Sequence, residues 1–392
     1  MINKLKKVTI KDILGIFKFI IVLIPSIFTK IYLKITKKEL WLICETDATA
    51  RDNGFTFYKY MLKNHPEVKC LYAINSKCSD YQKVAGLGNI IEYSSLKHYF
   101  YYMSATRNIS SHKQGNPNQT LFTILHLYLN LYNNRVFLQH GVLYQNFEMF
   151  HQKKCKFKIF ITGAEPEYQF VKEKFHYNNN EVRYTGLARF DDLHNCKVDD
   201  NIIFYMPTWR RYLNAENLED SVYLKKLISL FKNEKLHKIL EENDKYLYFS
   251  PHNGLKKYND LFSSDSNRIK VLDTNSIDIQ YYIRTSSMLI TDFSSLQTDF
   301  AYMDKPIMYY QYDYKDYMEK HVGNSCYDTY FDFKKDGFGK VVENEEDFVD
   351  NLERIINNKM KNDKMYKDRI DKFFVLHDNK NCERIYEEIM RG

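Results

Sequence analysis

Residues 289–306 read LITDFSSLQTDFAYMDKP. An apolar run suited to a buried strand meets Thr291 and Asp292, then two adjacent serines, Ser294 and Ser295, then a stretch with helical character. A strand that runs straight into a helix is the basic step of an α/β fold. Two explanations suit the polar residues at this junction. Ser294 or Asp292 can cap the helix, a contact worth about 1 kcal/mol. Alternatively, the free N–H groups and partial positive charge of a first helical turn can receive phosphate, with serine hydroxyls as extra donors. One cap accounts for one residue and leaves the others unexplained.

The same alternation runs through most of the chain. Candidate strands are LWLIC (40–44), CLYAI (70–74), NIIEY (89–93), RNISS (107–111), RVFLQ (135–139), FKIFIT (157–162) and VRYTG (182–186). The second half adds NIIFYMP (201–207), KYLYFS (245–250), IKVL (269–272), SMLIT (287–291) and PIMYY (306–310). Continuous apolar strands separated by helical stretches predict parallel sheets covered on both faces. A polar stretch, ARFDDLHNCKVDDN, precedes the fresh strand at 201 and marks a boundary near 187–200. The reading is an α/β chain of two domains, 40–193 and 194–392, behind a separate segment, 1–39. The charged, amphipathic stretch at 344–391 supplies closing helices.

The leading segment is unlike the rest. Residues 1–40 hold nine lysines and two acids, which accounts for the chain's whole formal net charge of +7. The remaining body is neutral, which argues against nucleic acid as a partner. ILGIFKFIIVLIPSIFTKIYLKI (13–35) is apolar but broken by Lys18, Pro25 and Lys30, so its longest uncharged run, Phe19–Thr29, is 11 residues. A bilayer crossing needs about 20. Apolar residues flanked by lysines predict a helix lying on an anionic membrane surface, with a buried or partner-binding helix, and a true span or uncleaved signal anchor, as the other readings. The seven cysteines are scattered and form no CxxC pair, which fits neither a disulfide framework nor a zinc site. A reducing cytoplasm follows, and with it a peripheral position on the cytoplasmic face of the membrane.

Several catalytic signatures are absent. The chain has no GxxxxGK[ST] loop, no complete GxGxxG, no GxSxG and no HExxH. What remains lies at predicted strand ends, where open α/β sheets bind ligands. RVFLQHGV (135–142) places His140 and Gly141 in a turn. FYMPTWRR (204–211) places Arg210, a bidentate phosphate ligand type, after a strand. YFSPHNGL (248–255) places His252 at a turn. Each has an ordinary reading as well: a capping or loop histidine, or a surface arginine. Together with Asp292, Ser294 and Ser295 they make a site for a diphosphate substrate. A histidine there can take a proton from an attacking hydroxyl. Positioning and charge stabilisation are most of what phosphoryl transfer needs. No dedicated metal site and no cofactor is indicated.

These residues resemble the CDP-glycerol glycerophosphotransferase family, the primases and polymerases of teichoic-acid and related polyol-phosphate capsule synthesis. The matching pieces are ETDATARDNGFTFYKYM (45–61), FLQHG (137–141), YTGLARFDDL (184–193), MPTWR (206–210), PHNG (251–254) and LITDFSSLQTDFAYMDKPIMYYQYD (289–313). They occur in the family's order across most of residues 41–340. The resemblance implies a GT-B-like fold, two Rossmann-like domains facing across a cleft, with acceptor binding in the first and CDP-donor binding in the second. It implies transfer of a polyol phosphate from a CDP-activated donor such as CDP-glycerol to a hydroxyl of a lipid-linked glycan or polyol-phosphate acceptor, releasing CMP. By motif, His140 matches the catalytic base and His252 the second essential histidine near the donor phosphates. Ser294 and Ser295 match donor-phosphate contacts, and Arg210 is a candidate phosphate contact. Asp292 is expected to cap the helix, bind the polyol hydroxyls, or both. Many members follow the first His-Gly with Thr-Pro, whereas this chain has Val142-Leu143. The acceptor pocket beside His140 is therefore expected to differ. The competing readings are a GT-B glycosyltransferase using a nucleotide sugar and a non-catalytic membrane scaffold.

Overall fold

The computed structural model describes residues 9–194, 196–214, 217–251, 262, 264–273, 278–322 and 328–392. The chain divides into two compact units. Unit 1 comprises residues 1–142, 147–192 and 378–392, and unit 2 comprises 143–146 and 193–377.

Unit 1 carries a seven-stranded sheet. Its strands are β1 (Leu40–Ile43), β2 (Lys69–Ile74), β3 (Ile90–Glu92), β4 (Arg107–Ser110), β5 (Arg135–Phe137), β6 (Ile159–Thr162) and β7 (Val182–Tyr184). The order is β3-β2-β1-β4-β5-β6-β7, with every neighbouring pair parallel. All four residues of β1 are buried, as a central strand covered on both faces requires. One face packs Trp41, Ile43, Phe57, Tyr58 and Ile161, and the other packs Leu40, Leu42, Tyr102 and Phe122.

Unit 2 repeats the plan with six parallel strands: β8 (Asp199–Tyr205), β9 (Tyr246–Phe249), β10 (Ile269–Val271), β11 (Ser286–Thr291), β12 (Ile307–Tyr310) and β13 (Gly339–Val342). Their order is β10-β9-β8-β11-β12-β13. In each sheet the strand order reverses direction once, between β1 and β4 and between β8 and β11. Ligands of doubly wound sheets bind at the carboxyl ends of the strands flanking that switch point. The stretch 289–306 is therefore β11, the turn that leaves it, and a short helix, Gln297–Tyr302.

Two features depart from the sequence expectation. The strand Gly339–Val342 was not foreseen, and the final helix, Asn381–Arg391, belongs to unit 1 rather than to the second domain. Its Ile385 and Ile389 complete the Trp41 core. Asp191 accepts hydrogen bonds from the backbone of Asn381 (2.9 Å) and Cys382 (2.8 Å), and Arg384 Nε donates to the Thr185 carbonyl at 2.8 Å. Gly186, at φ +79°, permits the approach, since a Cβ there would lie 1.7 Å from Asn381 Oδ1.

The leading apolar segment forms one helix, Ile10–Thr36, started by a capping box between Thr9 and Asp12 and ended by Lys37 in the left-handed region. It is long and apolar enough to cross a membrane by length and composition. Gly15, Val22, Ser26 and Leu33 form its buried side. These four recur at helical spacing on one stripe, pressed against the helices Leu96–Ser104 and Gln119–Leu127. Gly15 is a point of close approach, where a Cβ would meet the Tyr99 hydroxyl at 2.6 Å. Lys18 Nζ donates to the Ser94 carbonyl at 2.6 Å. The outward side is a continuous apolar face that includes Phe17, Ile20, Ile21, Ile24 and Phe28, each at least 59% exposed.

Candidate active site

In unit 1, four loops bring side chains together at the carboxyl ends of the strands. β5 runs on through buried Leu138 to Gln139, which adopts φ +67°. That turn is pinned from two sides. Gln139 Nε2 donates to Glu167 Oε1 at 2.6 Å, and Asn53 Nδ2 donates to the Gln139 carbonyl at 2.8 Å. His140 follows with its side chain 71% exposed. Its Nδ1 is hydrogen-bonded to Asp52 Oδ2. Asp52 caps the helix Asn53–Asn64, accepting the Asn53 N–H at 2.8 Å, and its own side chain is only 7% exposed. Arg189 closes the arrangement. Its Nη1 lies 3.0 Å from Asp52 Oδ1 and 2.6 Å from the His140 carbonyl, and its backbone N–H donates to Asn53 Oδ1 at 2.9 Å.

The electrostatics follow from these contacts. Asp52 beside His140 holds the imidazole above its ordinary pKa, outweighing the opposing charge of Arg189. Burial alone would raise the Asp52 carboxyl, but His140 and Arg189 outweigh it and bring it below the usual carboxylate range. Behind them, buried Glu45 accepts the N–H groups of Arg51, Asp52 and Phe55 at 2.8–3.1 Å. Burial, then the Asp52 charge, pushes its carboxyl up to about 8. His112, just past β4, lies with its ring centroid 4.7 Å from that of His140. Burial and the neighbouring His140 push it down to about 4, so it is neutral near pH 7. Because Asp52 occupies Nδ1, Nε2 is the nitrogen left to take a proton. The assembly is an oriented base whose protonated form has a fixed counter-charge.

Asp52, His112 and His140 each place one potential metal-ligand atom within 4.8 Å of the others. The Arg189 guanidinium bonded to the same carboxylate opposes a cation there, and Asp52 is already bonded to His140 itself. The donor set suits proton transfer better than metal binding.

In unit 2, the turn after β11 carries Asp292, Phe293, Ser294 and Ser295. Arg210 and Asp292, both expected as donor contacts, are instead partners of each other. Arg210 is fully buried, with Nη2 2.8 Å from Asp292 Oδ2 and Nε and Nη2 on the two oxygens of Asp313 at 2.7 and 2.8 Å. Its Nη1 donates to the Thr208 carbonyl at 2.7 Å. Asp292 Oδ1 accepts the N–H groups of Thr208 (2.8 Å) and Phe293 (2.5 Å). Both side chains face inward and tie the loop after β8 to the turn after β11. The reason is burial: a guanidinium with no exposed edge must be neutralised internally.

Ser294 and Ser295 remain partly exposed. Ser294 Oγ accepts the Leu296 N–H at 3.2 Å within the turn; the helix itself, with Leu296 at its N-cap, starts without a side-chain cap. The N–H groups of Ser294 and Ser295 and the Ser295 hydroxyl have no partner among the described residues. A cavity of about 560 Å³ opens beside Phe293, the residue before the serines, with Gln311, Tyr314, Phe331, Phe333 and Lys335 also in its wall; neither serine lines it. His252 lies outside the described residues.

Asp52, Arg189 and His112 were not singled out from sequence. Asp52 and Arg189 lie inside the quoted segments ETDATARDNG and YTGLARFDDL, and His112 directly follows the predicted strand 107–111. Of the three, His112 alone stands directly at a strand end, the signal it shares with His140.

Residues 26–391 match the family model for CDP-glycerol:poly(glycerophosphate) glycerophosphotransferase. The chain belongs to this family. Among curated relatives, it is 30% identical over 369 residues to the minor teichoic acid biosynthesis protein GgaB of Bacillus subtilis, covering 90% of this chain and 40% of that protein. It is 24% identical to the teichoic acid poly(glycerol phosphate) polymerase of the same organism, covering 87% and 47%. The chain thus spans less than half the length of these two family members. Among solved structures, the wall teichoic acid polymerase TagF superposes with a TM-score of 0.66 at 16% identity, covering 100% of this chain and 98% of that one. A putative UDP-N-acetylglucosamine 2-epimerase from Listeria monocytogenes gives 0.58 at 12% identity, covering 90% and 96%. The family member described here therefore has the two-sheet GT-B type of fold.

Proposed function

We propose that this chain transfers a polyol phosphate, glycerol phosphate in the first instance, from a CDP-activated donor to a hydroxyl of a membrane-linked glycan or polyol-phosphate acceptor. The setting is teichoic-acid or capsule synthesis. The observation that carries the reading is the His140–Asp52 pair at the switch point of the first sheet, in a chain matched by the glycerophosphotransferase family along nearly its whole length. Curated relatives include glycerol-phosphate and ribitol-phosphate enzymes, and a TagF variant has been soaked with CDPG.

In the proposed reaction His140 Nε2 accepts the proton of the acceptor hydroxyl. The freed oxygen attacks the phosphorus that carries the polyol, and the bond from that phosphorus to the bridging oxygen breaks. CMP leaves with the bonding electron pair. Asp52 holds the imidazole ring and stabilises the imidazolium that forms. The unpartnered N–H groups of Ser294 and Ser295 and the Ser295 hydroxyl receive donor phosphate oxygens. Aromatic side chains lining the neighbouring cavity offer faces for a planar base. The helix Ile10–Thr36 lies on the membrane, its apolar face in the lipid boundary and its exposed Lys11 and Lys34 toward the headgroups. The chain then works as a peripheral protein beside a lipid-linked acceptor.

The test is incubation of the full chain with CDP-glycerol or CDP-ribitol and membrane lipids, with mass spectrometry of nucleotide and lipid products. CMP and a polyol-phosphate adduct are expected. A nucleoside diphosphate released from a nucleotide sugar would move the assignment to glycosyl transfer. No product from either CDP-polyol would overturn it.

A further inference from the structure

The four residues that follow the His140 turn and Val142 belong to unit 2. Leu143–Asn146 run antiparallel to the segment 328–330, with a Gln145–Thr329 bridge and the Asn146 N–H on the Asp328 carbonyl at 2.9 Å. Thr329 Oγ1 donates to the Tyr144 carbonyl, and Tyr330 Oη donates to the Leu143 carbonyl at 2.8 Å. So anchored, the Tyr144 ring packs against Phe331 and Phe333 at centroid separations of 5.7 and 5.8 Å. Only 8% of the residue is exposed. Its hydroxyl donates to the carbonyl oxygen of Phe293.

That carbonyl shares a peptide plane with the N–H of Ser294. In a planar trans peptide the two groups point in opposite directions, so fixing one aims the other. The preceding peptide is fixed as well. Gln311 Nε2 donates to the Asp292 carbonyl at 2.9 Å, and the Phe293 N–H is held on Asp292 Oδ1. The plane left to Tyr144 is the one that presents the first of the two unpartnered N–H groups.

We propose that Tyr144 is a positioning residue for the donor phosphate, acting through the Phe293–Ser294 peptide. This inference rests on the proposed function. The segment Val142-Leu143-Tyr144 delivers a phenol hydroxyl to the serine turn, where it orients a phosphate ligand without touching it.

The experiment compares Tyr144→Phe with Tyr330→Phe in the full-length protein. The first removes the hydroxyl on the turn and keeps the ring on Phe331 and Phe333. The second removes a hydroxyl from the same paired segment that does not reach the turn. Hydrogen exchange of the protected Phe293, Leu296 and Gln297 amides is measured without donor, and the KM for CDP-glycerol and kcat are measured with it. Tyr144→Phe should speed exchange at those amides and raise donor KM about three- to tenfold, the range for one lost hydrogen bond, with kcat changed less than twofold. Tyr330→Phe should leave exchange at the turn within twofold of wild type. Unchanged exchange in Tyr144→Phe, or faster exchange with unchanged KM, would overturn the proposal. If wild type itself turns over no CDP-polyol, the donor reading fails, and the exchange data alone decide whether Tyr144 holds the turn.

Discussion

Arg210 and Asp292 meet at 2.8 Å with side chains 0 and 2% exposed, in the loops that leave the two central strands of the second sheet. Removing one member of such a pair leaves a buried charge without its partner, at a cost of about 3–5 kcal/mol. Arg210→Met should therefore lower the thermal unfolding midpoint sharply, with donor turnover lost in step with folded protein. An Arg210→Met variant that stayed as stable as wild type but had a raised donor KM would return Arg210 to the role of a phosphate ligand.

The His140–Asp52 contact sets a pH dependence. Asp52 raises the His140 pKa, so the imidazole stays protonated to higher pH than a free histidine. A base must be neutral, so kcat/KM should climb as pH rises through this raised value. In Asp52→Asn the counter-charge is gone, so the climb should move to lower pH and level off at a lower rate. His140→Ala should lose about 10²- to 10⁴-fold, the usual worth of a general base. A pH–rate profile of Asp52→Asn that overlays wild type would rule out the pairing as a tuning device.

Ser294 and Ser295 separate into two behaviours. Ser294 Oγ accepts the Leu296 N–H, so Ser294→Ala should cost about 0.5–1.5 kcal/mol of stability besides any effect on donor binding. The Ser295 hydroxyl has no partner among the described residues. Ser295→Ala should therefore change stability by less than about 0.5 kcal/mol while raising donor KM. Denaturant titration beside steady-state kinetics distinguishes the two.

The helix Ile10–Thr36 predicts a localised effect. Ile20, Ile24 and Phe28 are 59, 66 and 68% exposed, so changing all three to Asp should leave the unit 1 core intact. Sedimentation with anionic vesicles should fall, whereas turnover of a soluble acceptor analogue should hold. Undiminished sedimentation would show that the face does not contact lipid.

Much of this was legible in the sequence because parallel strands buried on both faces are written as continuous apolar runs. All twelve runs read from the sequence overlap strands in the two sheets. Gly339–Val342 escaped because an edge strand beginning Gly-Lys carries little apolar signal. His140 was found because it directly follows the apolar run 135–139. Its partners were not, because Asp52 lies 88 residues away and Arg189 lies 49 away. Pairing across such distances is set by strand order, which local patterns do not encode. Arg210 and Asp292 show the converse limit. Their residue types suited phosphate, but sequence carried no sign that each would be buried against the other.

The placement of the last helix bears on how the protein is made. Residues 378–392 leave the ribosome after every strand of unit 2, yet Ile385 and Ile389 belong to the core around Trp41. Unit 1 is thus the first to be synthesised and the last whose interior can close. While unit 2 is being translated, part of the Trp41 core waits uncovered. That interval is the stretch of biogenesis in which chaperone capture or protease attack on this chain should concentrate.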